Sequence, residues 1–169
     1  MRIIGAILLG CGFGGVGLGA VIRMAGRVAD LNNLILGLEG VKRELSFSMD
    51  RLERVMEAAA NCTRGNGRDF FLHCKDRLGR PDSRSFCDVW SEGIGLSFRR
   101  LKPCDLVPLQ GLGTVLGRYD APEQIAAVER TVGRLDANLT QAKGEQETLG
   151  KVYGTLGVSV GAIAAILLI

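Results

Sequence analysis

The residues that could do chemistry in this sequence are one histidine and five cysteines. His73, Cys74, Cys87 and Cys104 could together supply the four nitrogen and sulfur ligands of a zinc site. Their spacing argues against it, because the sequence has no Cys-x-x-Cys pair and adjacent residues such as His73 and Cys74 point in different directions from a helix. The same geometry argues against a nucleophilic Cys–His pair. We therefore predict no metal, no cofactor and no catalytic residue, and we interpret the cysteines as reduced thiols.

A second possible site is the glycine pattern at Gly10, Gly12 and Gly15, which matches the G-x-G-x-x-G fingerprint of dinucleotide-binding proteins, with Asp30 downstream. That fingerprint needs a strand before the glycines and a helix after them, within a βαβ unit. Here the glycines continue at Gly17, where the helix should start, and no alternation of strand and helix follows. A nucleotide- or metal-binding membrane protein therefore stays only as an alternative.

Residues 3–22 form an unbroken run of apolar residues and glycines. About 20 such residues make a helix long enough to cross the hydrocarbon core of a bilayer. The run is longer than the apolar part of a cleaved signal peptide, and no small-x-small cleavage site follows it. We predict a retained transmembrane helix over residues 1–22. Small residues on shared faces would let membrane helices approach closely, and the predicted packing residues are Gly5, Gly12, Gly15 and Gly19.

Residues 120–169 predict one long helix that begins at Asp120, with Glu123 placed three residues on as in a capping box. Apolar residues then recur every three or four positions as far as Leu149, which is the pattern of an amphipathic helix. From Val152 no polar face remains, which predicts a second transmembrane helix over residues 152–169. The predicted seam is Ile125, Val128, Val132, Leu135 and Leu139, and the predicted packing residues of the span are Gly154, Gly157, Gly161 and Ala165.

Residues 23–151, between the two predicted spans, carry only helical patterns. A long pattern runs from Leu31 to about Ala60, and three shorter ones follow, separated by turn signals rich in Gly, Pro, Asn and Asp. Asp82 or Ser83 is the expected cap of the middle one of these three helices. The predicted fold is all-α, a helical bundle between two short transmembrane helices. The predicted bundle core also includes Trp90 and Leu116.

Charges predict how the chain would lie in a membrane. Arg23 and Arg27 follow the first apolar segment, and Lys143 and Lys151 precede the second. Because positive residues concentrate in cytoplasmic segments, we expect the bundle to face the cytoplasm and the lipid bilayer to hold both apolar ends. A net charge of +3 and an aromatic content of 5% do not favour a nucleic-acid surface.

Two motifs point to a family. The first is Leu112-Gly-Thr-Val-Leu116-Gly117-Arg-Tyr-Asp120 with Gln124, and the second is Lys151-Val-Tyr153-Gly-Thr-Leu156-Gly157-Val158. With the apolar start, the helical middle and the apolar end, they resemble the stage III sporulation protein AB family of endospore-forming Firmicutes. The motif residues that carry the resemblance are Gly117, Asp120, Gln124, Tyr153 and Gly157.

The resemblance implies a function. The family's bundle is similar to the cytoplasmic domains of type II secretion and type IV pilus platform proteins. By resemblance, the chain would be a non-enzymatic membrane platform component of the channel apparatus that joins mother cell to forespore and is required for endospore formation. It would lie in the mother-cell membrane around the forespore, beside other membrane and ATPase components. An inner-membrane scaffold of another type II secretion or pilus-like machine stays open as an alternative.

Overall fold

The computed structural model describes the backbone of residues 2–47, 51–80 and 85–168, and it describes side chains at residue 19 and over 21–47, 51–80 and 85–152. Within these residues the chain forms six α-helices and no strand, so the prediction of an all-α helical bundle is confirmed. The helices are α1 (Arg2–Phe47), α2 (Leu52–Asn61), α3 (Gly65–Leu78), α4 (Phe86–Ser97), α5 (Pro103–Gly113) and α6 (Ala121–Leu168).

The predicted single helix from Leu31 to Ala60 is wrong, because the structure divides it into α1 and α2. The chain leaves α1 at Phe47, and Arg51 has an extended backbone (φ −60°, ψ 140°) just before α2 begins. Helix α2 then packs back on α1, where a Cβ on Gly40 would lie 3.3 Å from the Cα of Ala59. The apolar period continues in phase across the break, so periodicity alone does not reveal that the chain folds back.

The two longest helices, α1 and α6, run antiparallel and form the axis of the bundle. Arg27 of α1 lies 3.3 Å from Glu145 of α6, and Lys42 of α1 lies 3.6 Å from Glu129. Residue numbers therefore fall along α6 as they rise along α1. Between them lies an apolar seam, in which Ile125 and Val132 are half-buried and whose buried members are Leu31, Leu34, Leu38, Val41, Val128, Leu135, Leu139 and Ala142.

An aromatic core joins α3, α4 and α5. Trp90 is fully buried, stands edge-on to Phe70 at a ring separation of 4.7 Å, and donates its indole N–H to the carbonyl of Leu109 (2.8 Å). The indole N–H is the one polar group of this large apolar side chain. Because it has an acceptor, Trp90 can stabilise the core without leaving a buried N–H that makes no hydrogen bond. Leu116 is also buried. Phe71, Phe86 and Phe98 complete the aromatic cluster.

The cap of α4 is Ser85, not Asp82 or Ser83. The Ser85 hydroxyl accepts the backbone N–H of Asp88, and the Asp88 carboxylate accepts the backbone N–H of Ser85. This reciprocal pair satisfies two helix-end donors at once, which explains why the helix starts at Phe86. The two predicted caps, Asp82 and Ser83, lie outside the described residues.

The predicted transmembrane helices, 1–22 and 152–169, fall almost wholly outside the residues whose side chains are described. The backbone is helical over residues 2–22 and 152–168, as parts of α1 and α6. Among the described residues, no helix is both long enough and apolar enough to cross a membrane. The spans therefore stay a prediction.

The tight contact between α1 and α3 predicts opposite effects for two glycine-to-alanine replacements. A Cβ at Gly37 would collide with the ring of the buried Phe71, so Gly37→Ala should destabilise the protein by about 1–3 kcal/mol. Gly144 in α6 has no atom within 4 Å of its ideal Cβ, and Gly144→Ala should stabilise by about 0.5–1 kcal/mol. Urea unfolding followed by circular dichroism checks both, and equal effects would contradict this packing.

Candidate functional site

An ion-pair cluster with a buried centre joins α1, α5 and α6. Arg27 and Asp105 are its buried members, and Glu145 and Lys102 are its more exposed ones. Arg27 donates to both oxygens of Asp105, from Nε at 2.8 Å and from Nη2 at 3.0 Å. It also lies 3.3 Å from Glu145, which in turn pairs with the Lys102 ammonium at 2.8 Å. Arg27 is only 2% exposed and Asp105 is fully buried, so these charges depend on each other for solvation.

Asp105 also stabilises the first turn of α5, in which it is the third residue after the N-cap Lys102. Its carboxylate accepts the backbone N–H of Lys102 at 2.9 Å, one of the free donors of the first helical turn. Burial by itself would raise the pKa of this carboxyl, but the hydrogen bonds from Arg27 and Lys102 outweigh it and hold the pKa of Asp105 below its usual value. The hydrogen bond to Asp105 raises the pKa of Arg27 despite its burial. Arg27 and Asp105 therefore favour each other's charged form.

The α5–α6 pair contains a further polar contact that compensates for a proline. Pro108 lies inside α5 and has no N–H to offer the carbonyl of Cys104, four residues earlier. The side-chain amide of Asn138 on α6 donates to that carbonyl instead, at 3.1 Å. The irregular helix α5 is thereby tied to α6 at two levels, by Asn138 and by the ion-pair cluster.

The first family-like motif builds the connection between α5 and α6, residues 114–120, which we name the α5–α6 loop. Gly117 has φ +76°, a left-handed backbone conformation that glycine adopts without steric cost. Its N–H donates to the Gln124 side-chain oxygen at 3.1 Å, and the Gln124 amide donates to the carbonyl of Tyr119 at 2.6 Å. Gln124 thus fixes the loop, and α6 begins directly after Asp120. The loop leaves Tyr119 52% exposed.

The end of the bundle that carries this loop also exposes a second aromatic side chain. Phe47, the last residue of α1, is 87% exposed, and the antiparallel register brings the end of α1 beside the start of α6. The other described aromatic residues lie in the core cluster. Exposed aromatic residues are common at protein interfaces, and this end lies opposite the two predicted spans.

The histidine and cysteines that were weighed as zinc ligands or as a catalytic pair do not form a site in the described part of the chain. In the part of the chain with described side chains, no three His, Cys, Asp or Glu residues lie close enough together to hold a metal ion. Cys74 is buried in the core, and burial raises the pKa of its thiol to about 12, which makes it a poor nucleophile at neutral pH. Cys104 is exposed and touches the ion-pair cluster, where its thiol lies 3.7 Å from Asp105.

The dinucleotide alternative is contradicted by the backbone. Helix α1 runs without interruption from Arg2 to Phe47, so Gly10, Gly12 and Gly15 lie inside a helix and not in a strand-to-helix turn. Asp30 lies in the same helix, 5% exposed, and accepts a hydrogen bond from Asn66 of α3 at 2.9 Å. Burial raises the pKa of Asp30, while the bond from Asn66 and the charge of Arg100 lower it less. This carboxyl links helices within the bundle.

Several predicted site residues lie where the structure gives backbone only. The packing residues Gly5, Gly12, Gly15, Gly154, Gly157, Gly161 and Ala165, and the motif residue Tyr153, are among them. Gly19 is half-buried. Sequence reasoning missed the ion-pair cluster, because it assigned Arg27 only to the charged flank of a span. A signal was present: Arg27 lies four residues before Leu31, on the apolar face of α1.

Comparison with known proteins identifies the fold and the family. A solved structure described as "Stage III sporulation protein AB (SpoIIIAB)" is similar to this chain with a TM-score of 0.65 and 19% sequence identity, covering 73% of this chain and 98% of that one. At this identity the likeness shows the fold alone. No curated protein matches the sequence. The sequence profile of the family described as "Stage III sporulation protein AB" matches residues 2–169. The chain therefore belongs to the stage III sporulation protein AB family.

Proposed function

We propose that the chain is a non-enzymatic membrane platform component of the channel apparatus that joins mother cell to forespore during endospore formation. The observation that carries this proposal is the antiparallel pairing of α1 and α6. Because the two helices continue into the predicted spans, antiparallel pairing brings both spans to one end of the bundle. A domain held at one end by two anchors presents its other end to partners.

The ion-pair cluster supports the same architecture. Arg27 lies five residues after the first predicted span, and Glu145 lies seven residues before the second. With Asp105 these residues tie α1, α5 and α6 together just below the predicted membrane surface. Ion pairs at this level would fix the orientation of the bundle relative to the two spans. A platform needs such a fixed orientation to position its partners.

The proposed partners are the other membrane and ATPase components of the sporulation complex. Membership of the family favours this assignment over a scaffold of another secretion or pilus-like machine. The proposed location is the mother-cell membrane around the forespore, with the bundle in the cytoplasm. In this role the protein binds and positions its partners, and its buried charges hold helices together.

Membrane topology tests the proposal through single-cysteine variants. Cys62 is exposed on the bundle, whereas Cys74 is buried. A variant that keeps only Cys62 is produced in non-sporulating cells, so that the protein lies in the cell membrane itself. There a membrane-impermeant maleimide should leave sealed protoplasts unlabelled and should label the protein once the membrane is permeabilised. The measurement is the mass shift of the protein on a gel.

A variant that keeps only Cys74 is the matched control. Its thiol should stay unlabelled in both conditions and should react only after denaturation, because it is enclosed by the core. Labelling of Cys62 in sealed protoplasts would place the bundle on the outer side and would contradict the proposed topology.

A further inference from the structure

An apolar groove lies between α5 and α6, with a volume of about 330 Å³. Val107, Gly111 and Val115 form one wall, at intervals of four residues along α5 and the turn that follows it. Ala127, Arg130 and Arg134 belong to the other wall, on α6. We name this feature the α5–α6 groove.

The groove is open because Gly111 contributes no side chain to it. An ideal Cβ at Gly111 would meet no atom within 4 Å, and the neighbouring Val107 is 63% exposed. Val107 is thus a large aliphatic side chain beside unfilled space on the surface of the bundle. Apolar surface of this kind loses water favourably when a complementary side chain enters it.

The α6 wall carries a positive charge that no described residue neutralises. Arg130 and Arg134 are one helical turn apart, both are exposed, and neither forms an ion pair or a side-chain hydrogen bond with any residue that the structure describes. Lys42 of α1 by contrast lies within 4 Å of two carboxylates, those of Glu39 and Glu129. An occupant that brings carboxylates to this wall would meet two guanidinium groups that are free to bind them.

The position of the groove selects a protein occupant over lipid headgroups. Arg134 lies 18 residues before the predicted span at Val152, which is about 27 Å along an α-helix. The stripe from Val107 to Val115 is about 12 Å long, or roughly two helical turns. An amphipathic helix presents apolar side chains three or four residues apart on one face, which matches the spacing of this groove.

We propose that the α5–α6 groove docks an acidic amphipathic helix of a protein partner. Apolar side chains of that helix enter the space over Gly111, and two of its carboxylates, three or four residues apart, pair with Arg130 and Arg134. The inference rests on the proposed function to the extent that the partner is a component of the same complex.

Site-specific photocrosslinking tests the proposal in the full-length chain. Val107 is replaced by benzoylphenylalanine in sporulating cells, the cells are irradiated, and the crosslinked peptide is sequenced by mass spectrometry. We expect a peptide from a different protein, with two acidic residues three or four positions apart and apolar residues on the adjoining face. Arg130→Glu combined with Arg134→Glu should reduce the crosslink about tenfold or more, since like charges would then face each other.

A matched pair of glycine variants separates docking from folding. Gly111→Trp fills the groove, and Gly95→Trp adds the same side chain at another helical glycine with open space around it, on α4, which does not line the groove. Both proteins should unfold at the same temperature as the parent, whereas only Gly111→Trp should lower spore yield. A crosslink to a second copy of this chain, to lipid, or to a peptide without the acidic pattern would overturn the proposal.

Spore yield also distinguishes this inference from the proposed function. If deletion of the gene abolishes sporulation while Gly111→Trp sporulates like the parent, the groove is not a docking site and the platform function stands. If deletion leaves sporulation unchanged, the platform function itself fails.

Discussion

Replacing Arg27 with methionine is expected to lower the free energy of unfolding by about 3–5 kcal/mol. Methionine keeps most of the length and apolar stem of arginine, so the cavity is small and the loss is chiefly electrostatic. Asp105 is fully buried and accepts two hydrogen bonds from Arg27. Without them, the hydrogen bonds that remain to its carboxylate from the described residues are the one from the N–H of Lys102 and a weak one from the thiol of Cys104. Urea unfolding at neutral pH measures the effect.

Two controls separate the buried pair from surface charge. Asp105→Asn in the Arg27→Met background removes the orphaned charge but keeps an oxygen that can cap α5, so it should recover a large part of the lost stability. Lys102→Met removes a partner of Glu145 that is 45% exposed, and it should change stability by about 1 kcal/mol or less. A loss below about 1 kcal/mol for Arg27→Met would show that Asp105 is solvated in the protein.

The pH dependence of these variants has a definite sign. In the parent protein the folded-state pKa of Asp105 is depressed, so its stabilising contribution is present above the unfolded pKa of about 3.9 and is lost as the pH falls through the folded pKa. In Arg27→Met the burial that raises this pKa is no longer outweighed, and the carboxyl takes up a proton more readily in the folded state. The stability gap between the two proteins should therefore narrow from pH 7 toward pH 4. A gap that widens would contradict the assignment.

Local patterns in the sequence predicted most of the helices. The period of apolar residues and the acidic residue at Asp120 located the start of α6, which begins at Ala121. These patterns failed to separate α1 from α2, because the apolar period of α1 continues in α2 on the other side of residues 48–50. A periodic pattern records which face of a helix is buried, and that face stays the same whether the chain runs on or folds back.

Long-range pairing was beyond the sequence. Arg27 and Asp105 are 78 positions apart, and the sequence around either residue does not predict that the two form an ion pair. The same limit applies to Gln124, which a motif identified but whose double contact with Gly117 and Tyr119 depends on the path of the α5–α6 loop. The open space over Gly111 likewise depends on the angle at which α5 packs on α6. The spacing of apolar residues along one helix does not predict that angle.

The register of α1 against α6 leads to an expectation for the two predicted spans. Arg27 lies beside Glu145. Twelve residues toward the N-terminus from Arg27 is Gly15, and twelve residues toward the C-terminus from Glu145 is Gly157. Fifteen residues toward the N-terminus from Arg27 is Gly12, and fifteen residues toward the C-terminus from Glu145 is residue 160, which is next to Gly161. If both helices keep this register, the small residues of one span would stand opposite those of the other.

Replacing Gly157 and Gly161 together with leucine is therefore expected to abolish or severely reduce spore yield while the protein stays in the membrane. Leucine keeps the segment apolar, so insertion is preserved, but its side chains would hold the two backbones apart. The bundle should keep its stability, because both positions lie beyond the described core, which ends along α6 at Ala142. Membrane fractionation, urea unfolding and spore counts measure the three quantities.

Ser159→Leu is the matched control for this double replacement. It also adds a leucine to the span, but the helical period of 3.6 residues places it on the side away from the small-residue face. Spore yield should stay at the parental level in this variant, because bulk on that side meets lipid. If the double-leucine protein also sporulates normally, close packing of the two spans is not required, and each serves only to hold the bundle at the membrane.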